Sequence, residues 1–332
     1  MKANVLNKPA LIENNPLDFV EIPVPEPGPD ELLVKISACG VCHTDLHVVE
    51  GELPHAKSPV IPGHEIVGTI AAVGTNVQEQ SIGDRVGIFW LHDADETCDY
   101  CKMGLENLCP NAHWTGYTAN GGYAEYIAIP ADFVVSIPDA FDDVQAAPLL
   151  CAGVVGYRSL RLADLQPGEK LGIYGFGASG HLMIQVANHW NCDVYVFTRS
   201  EEHQQYAREL GAVWVGDAQD EPPHELDRSI IFAPAGWIVP LALGHLRKAG
   251  TLCINAIHMS NISEMPYKLL WEERTIRSVA NVTRKDAQEF LQVAAEIPIK
   301  VDIESFHFSE ANEVLNKVKA SKINGAAVLT MA

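Results

Sequence analysis

One short stretch limits the fold of this chain more than any other: Gly175-Phe-Gly177-Ala-Ser-Gly180, which follows the apolar run KLGIY and opens the apolar segment HLMIQVANHW. A strand, a glycine turn and a helix in that order form the first half of a strand–helix–strand unit. The alternation continues. DVYVFT reads as a second strand and EEHQQYARELGA as an amphipathic helix closed by Gly211, with further strands at AVWVG, RSIIFAPA and GTLCINAI. VVGYRSLRLADL precedes the series with helical spacing. Alternation of this kind implies a doubly wound parallel sheet with helices on both faces, an α/β Rossmann arrangement. Gly175 permits the tight turn, Gly177 lets backbone approach a pyrophosphate, and Gly180 lets helix pack on strand. The helix N-terminus supplies unpaired N–H groups and the positive end of its dipole. These residues are therefore candidates for binding a dinucleotide.

The first ~150 residues read differently. ELLVKISA, EIVGTIAAVG, DRVGIF and YAEYIAI are short β-type runs separated by Gly and Pro, and no long helical period interrupts them. The tail from residue 284 holds two helical patterns and a final strand. We expect a β-rich domain at 1–147 and 287–332 and a dinucleotide-binding domain at 148–286, a size that suits 332 residues.

Charge and cysteine usage narrow the function. With 23 basic and 43 acidic side chains the formal charge is −20, which repels phosphate backbones and argues against nucleic-acid binding. No apolar run approaches the ~20 residues of a membrane span, and the N-terminal segment has no secretory pattern, so a cytoplasmic protein is expected. The eight cysteines of such a chain point to metal or catalysis rather than to disulfides.

NADP and NAD sites differ at the end of the second strand. An NAD site calls for Asp or Glu about 20 residues past the glycines, to hold the ribose 2′-hydroxyl. Here the strand ends in Thr198-Arg199-Ser200, and the nearest acid, Glu201, lies in the next helix. Two hydroxyls and a guanidinium suit a 2′-phosphate. The reading favours NADP(H); the alternative is NAD(H) with Arg199 as a surface residue.

Three further segments carry chemistry: Cys39-Gly-Val-Cys42-His43-Thr44-Asp45-Leu-His47, Gly63-His64-Glu65 and Pro148-Leu-Leu-Cys151. A fourth is Cys98-x₂-Cys101-x₇-Cys109. In this order, with GFGASG downstream, they make the chain resemble the zinc-dependent alcohol dehydrogenases of the medium-chain dehydrogenase/reductase family, in its shorter microbial form. The resemblance spans the whole chain. It implies a GroES-like β-rich catalytic domain beside the Rossmann domain, and a tetramer or dimer. It implies Cys42, His64 and Cys151 as catalytic zinc ligands with Glu65 nearby. Thr44 would hydrogen-bond the alcohol oxygen, and His47 would pass its proton to solvent through the cofactor ribose. His43 would lie near the cofactor phosphates. Two thiolates and an imidazole leave zinc a fourth position, where as a Lewis acid it lowers the pKa of a bound alcohol. Cys39, Cys192 and Cys253 are expected as buried small residues.

The resemblance also shows departures. The family's second, structural zinc frame of four cysteines falls on positions 95, 98, 101 and 109, and position 95 is Asp95. Aspartate can ligate zinc through oxygen, so a site of Asp95, Cys98, Cys101 and Cys109 is the first expectation. A weakened site is the second, and Asp93 is a possible substitute. An arginine usual near the C-terminal Gly-x-Ala-Val-Leu is absent; Arg284 is a candidate to replace it at the cofactor phosphates. Trp90 falls where the family lines its substrate pocket. Its indole narrows the pocket toward small or medium primary alcohols and their aldehydes, with Tyr117 and Ile257 as further wall candidates. The expected function is zinc-dependent alcohol dehydrogenase or aldehyde reductase. Rivals are an NAD(H)-dependent enzyme of the same family, a zinc-free quinone or enoyl reductase, and a nucleotide-binding redox sensor that is not an enzyme.

Overall fold

The computed structural model describes every residue except His55, Pro298, Asn324 and Ala332. The chain divides into two compact units: Met1–Cys151, Asn281–Ala295 and Val301–Ala332 make one, and Ala152–Ala280 with Glu296–Lys300 the other. Among the described residues, no helix is long and apolar enough to cross a membrane.

The second unit is built on a six-stranded sheet. From edge to edge its strands are Trp214–Gly216, Asp193–Phe197, Lys170–Tyr174, Leu226–Ile231, Leu246–Ile254 and Thr275–Ser278, and every neighbouring pair is parallel. Apolar residues on consecutive positions, as in KLGIY and DVYVF, are what a sheet covered on both faces requires. Strand order reverses between Lys170–Tyr174 and Leu226–Ile231, the switch point at which such sheets leave a crevice. Gly175 turns the chain there with φ +93°, and a Cβ on it would lie 2.9 Å from the amide nitrogen of Ala233. The helix Ala178–His189 follows with Gly177 at its N-cap, and a Cβ on Gly180 would meet the Gly175 carbonyl oxygen at 2.8 Å. Gly175 and Gly180 thus allow a tight turn that passes through Gly177 directly into the helix N-terminus.

The first unit contains a seven-stranded sheet. Its order is Ile303–His307, Ala326–Thr330, Glu31–Val41, Glu65–Val73, Arg85–Ile88 and Val135–Ser136, with Tyr126–Pro130 also pairing with Glu31–Val41. Only the pair Ile303–His307 and Ala326–Thr330 is parallel. The strand Ile303–His307 has no counterpart in the sequence reading of the tail, because its IESFH pattern is short and mostly half-exposed. A helix, His43–Glu50, also interrupts the β-rich half. Its eight residues are too few for helical periodicity to stand out, although its cap, described below, is written in the sequence.

Register places one functional residue directly. Gly40, near the end of the long strand Glu31–Val41, is paired with Glu65. A Cβ on Gly40 would lie 1.8 Å from a carboxylate oxygen of Glu65. The absence of a side chain at position 40 is what gives the buried Glu65 carboxyl its place.

Candidate metal centres and dinucleotide site

Cys42 leaves the strand Glu31–Val41 and caps the helix His43–Glu50. Its amide donates to the Asp45 carboxylate at 2.9 Å, and the Thr44 amide donates to Cys42 Sγ at 3.3 Å. A thiol thus does the work that Ser or Thr does in an ordinary capping box. His64 follows Gly63, whose φ of +98° turns the chain into the strand Glu65–Val73. Cys151 closes the turn Ala147–Leu150. These separate segments bring the ligand atoms of Cys42, His64, Glu65 and Cys151 within 4.8 Å of one another. Cys42 Sγ and His64 Nε2 are 3.5 Å apart. A tetrahedral zinc with Zn–S of ~2.3 Å and Zn–N of ~2.0–2.1 Å separates sulfur from nitrogen by about 3.5 Å. The donor set and its spacing therefore fit zinc.

The other face of the imidazole has a partner that the sequence reading missed. His64 Nδ1 lies 2.9 Å from Asp45 Oδ1, and both side chains are 1% exposed. A carboxylate on one imidazole nitrogen fixes the tautomer and turns the other nitrogen toward a metal. The one available signal was the Cys42-x-x-Asp45 spacing of a capping box. Asp45 serves both ends, with Oδ2 on the Cys42 amide and Oδ1 on His64.

The charges of the cluster are mutually dependent. A hydrogen bond from the Cys151 thiol holds the Cys42 thiol well below its ordinary pKa, against the cost of burial, and His64 adds to the effect. The same bond, with burial, pushes Cys151 well above its ordinary value. Burial disfavours charge on His64, but Asp45 and Cys42 outweigh it and its pKa is raised. Burial and the negative Cys42 raise Glu65. The two thiols are therefore shifted in opposite directions by the bond they share.

The other residues expected here also lie in the first unit. Thr44 is buried, His43 is exposed, and His47 Nδ1 lies 2.5 Å from the Glu52 carboxylate, a second partner the sequence reading did not name. The edge of the His64 ring meets Trp90 at 4.9 Å between centroids. Trp90 in turn stacks with Tyr117 at 5.8 Å and with Trp114 at 6.1 Å. Trp114 was not expected; it enters through the two-stranded ribbon of Leu91–Asp93 and His113–Trp114. The Tyr117 hydroxyl donates to the Pro54 carbonyl.

The cysteine lobe forms a second cluster. Ligand atoms of Asp95, Cys98, Cys101 and Cys109 lie within 4.8 Å of one another. Asp95 Oδ1 accepts from the amides of Thr97 and Cys98, both at 2.9 Å, and Oδ2 accepts from Asn111 Nδ2 at 2.8 Å. Those bonds hold the Asp95 carboxyl well below the ordinary range. Burial, together with Cys98 and Cys109, pushes the Cys101 thiol up to about 12. Asp93 is not part of this group: its carboxylate pairs with His113 Nδ1 at 2.7 Å. Arg284 is also engaged within the first unit, against Glu96 and Glu106 of this lobe. Sequence reading named Arg284 as a candidate for the cofactor phosphates without placing it; its partners here are these two carboxylates.

In the second unit the glycine turn is followed by the loop that ends the strand Asp193–Phe197. Thr198 is buried and its carbonyl accepts from Gln204, Arg199 is exposed, and Ser200 Oγ caps the helix Glu201–Glu209 by accepting from the His203 amide at 3.3 Å. Tyr174 and Phe197, which precede the two loops, stack in register at 4.1 Å between centroids. Ile257 is exposed, whereas Cys39, Cys192 and Cys253 are buried.

A β-sheet unit with a Cys₂His cluster and a parallel-sheet unit with a glycine turn are the parts of a zinc-binding dehydrogenase. Residues 28–139 match the alcohol dehydrogenase GroES-like domain family, and residues 178–296 match the zinc-binding dehydrogenase family. The chain is 45% identical over 335 residues to a probable alcohol dehydrogenase, AdhA, of Mycobacterium tuberculosis, covering 99% of this chain and 97% of that one. It is 36% identical over 340 residues to an alcohol dehydrogenase of Geobacillus stearothermophilus, covering 100% and 99%. Among solved structures, a cinnamyl alcohol dehydrogenase of Sorghum bicolor superposes with a TM-score of 0.88 at 27% identity, over 98% of this chain and 97% of that one. The chain belongs to the alcohol dehydrogenases of the medium-chain dehydrogenase/reductase family.

Two outcomes follow from this geometry. Replacing Asp45 with Asn removes the charge that orients His64, and zinc affinity should fall about 10–100-fold, read as metal retained per chain after dialysis against a graded chelator. The second concerns acid. Because the folded pKa of Asp95 is depressed, its stabilisation is complete above the unfolded carboxylate value of ~3.9 and is lost as pH falls through the lower folded value. Chelator-treated wild type should therefore lose thermal stability relative to Asp95→Asn below about pH 4, and parallel melting curves for the two would contradict it.

Proposed function

We propose that this protein interconverts small or medium primary alcohols and their aldehydes, with zinc at Cys42, His64 and Cys151 and NADP(H) as the redox partner. The observation that carries the reading is the convergence of two thiols and a carboxylate-oriented imidazole on one point. When bound, zinc supplies a Lewis acid that acidifies the alcohol and polarises the carbonyl, and the nicotinamide exchanges hydride with the reacting carbon.

The chain's own residues do the rest. Thr44 offers a buried hydroxyl able to accept a proton from the substrate oxygen and donate another onward. His47, held on Nδ1 by Glu52, is the outer end of that path. Glu65 lies beside the three ligands, its buried carboxyl seated in the space that Gly40 leaves. Trp90, fixed by Tyr117 and Trp114, forms a flat wall next to His64 that suits an unbranched alcohol carbon. Gly175, Gly177 and Gly180 cradle the pyrophosphate, His43 supports its charge, and Thr198, Arg199 and Ser200 read the 2′-phosphate. Asp95, Cys98, Cys101 and Cys109 hold a second zinc.

The reading extends to assembly and compartment. Thr275–Ser278 is an edge strand of the parallel sheet, and exposed Tyr267 and Trp271 precede it in sequence, which supports a homo-oligomer, dimer or tetramer. Eight free thiols suit a reducing cytoplasm.

Cys42→Ser should reduce alcohol turnover at least ~100-fold, because a hydroxyl is a poor zinc ligand, with circular dichroism unchanged. Undiminished turnover would overturn the mechanism with zinc at Cys42. Steady-state kinetics should give a higher kcat/KM with NADP than with NAD, and Arg199→Ala should raise the NADP KM about 10-fold or more while sparing NAD. Equal use of both cofactors by the wild type would select the NAD-dependent reading.

A further inference from the structure

Both arms of the cysteine lobe converge on one side chain outside it. Arg284 begins the helix Arg284–Glu296, about 180 residues downstream in sequence. Its Nη2 lies 2.8 Å from Glu96, which sits between Asp95 and Cys98. Its Nε lies 3.5 Å from Glu106, which sits between Cys101 and Cys109. The Arg284 amide also donates to Glu106 Oε1 at 2.9 Å, so a lobe carboxylate caps the helix. The guanidinium carbon lies 4.5 Å over the Phe133 ring. Glu106 is only 7% exposed, which spares this pair much of the solvent screening that makes surface ion pairs weak.

Each arm thus gives Arg284 one carboxylate, and a single planar cation closes the loop between them. A metal clip closes a loop in the same way, by joining residues distant along the chain. Within the lobe, Asp95 adds its own closure: its oxygens accept from the Thr97 and Cys98 amides and from Asn111, on the opposite arm. Glu96 takes φ +53°, a left-handed conformation that a glutamate adopts only when its surroundings hold it there.

We propose that Arg284 is the positioning residue of the second metal site: by gripping Glu96 and Glu106 it keeps Asp95, Cys98, Cys101 and Cys109 assembled without the metal, so that zinc enters and leaves a preformed lobe. This rests on the assignment of those four residues as zinc ligands, and it adds a distinction. In a four-thiolate clip the metal itself folds the loop. Here a fixed cation does, and the oxygen donor Asp95 has a second duty in holding the turn.

The test uses the full-length protein, wild type and Arg284→Ala, each zinc-loaded and chelator-stripped, with limited proteolysis of residues 94–112 as the readout. Stripped wild type should resist cleavage nearly as well as loaded wild type. Stripped Arg284→Ala should be cut at least about 10-fold faster than loaded Arg284→Ala, and its lobe should bind zinc about 10-fold more weakly than wild type. Glu96→Gln, which removes one arm's contact and leaves the helix cap intact, should give the same pattern in weaker form and replaces Arg284→Ala if that variant does not fold. Rapid cleavage of stripped wild type would overturn the proposal, since the metal would then be what holds the lobe. So would equal protection of stripped wild type and stripped variant. Metal counting separates the two readings. If the wild type takes up only the catalytic zinc, the ligand assignment fails, while the proteolysis comparison still decides whether Arg284 holds the loop.

Discussion

The hydrogen bond between Asp45 and His64 is the constraint on which the cluster of Cys42, His64 and Cys151 depends. One carboxylate ties the start of a helix to an imidazole on another segment, while its second oxygen holds the amide of Cys42. Two of the three zinc-type donors are thereby set by a single side chain at 1% exposure. Burial raises the pKa of Asp45, and His64 and the Cys42 amide, one on each oxygen, oppose that rise. Gly40 completes the arrangement by leaving room for Glu65. A local device, the helix cap, has become part of an electrostatic site.

The second cluster is organised on a different principle. Around the first cluster the protein surrounds an imidazole and two thiols with buried, interdependent charge. Around the cysteine lobe it uses half-exposed hydrogen bonds and ion pairs, with Asp95 in place of a fourth sulfur and Arg284 across the opening. The acid excess of the chain, which looks featureless as a net charge, has a defined use in this lobe: Asp95 and Glu106 accept backbone amides, and Glu96 and Glu106 face one guanidinium.

Much of the fold was legible because it rests on short-range rules. Continuous apolar strands, glycine punctuation and amphipathic helices implied the parallel sheet, and the sheet has that form. The helix His43–Glu50 and the strand Ile303–His307 were not read, one too short for its period to register and the other too polar. Of the candidate residues, Cys42, His64 and Cys151 share one cluster, and Asp95 rather than Asp93 joins the cysteines. Asp45, Glu52, Trp114 and the station of Arg284 were missed. Each of these acts through a partner brought close only by folding, and a single sequence carries little trace of such pairs.

The sequence alone therefore determined the types of element, the glycine turn, the donor chemistry and the family resemblance, since all of these depend on residue identity and near-neighbour spacing. The tertiary structure decided which nitrogen of His64 faces a carboxylate, which aspartate stands with the cysteines, what braces Trp90 and where Arg284 spends its charge. Those outcomes follow from distances between segments up to about 180 residues apart, closed by burial and register, and no local pattern encodes them.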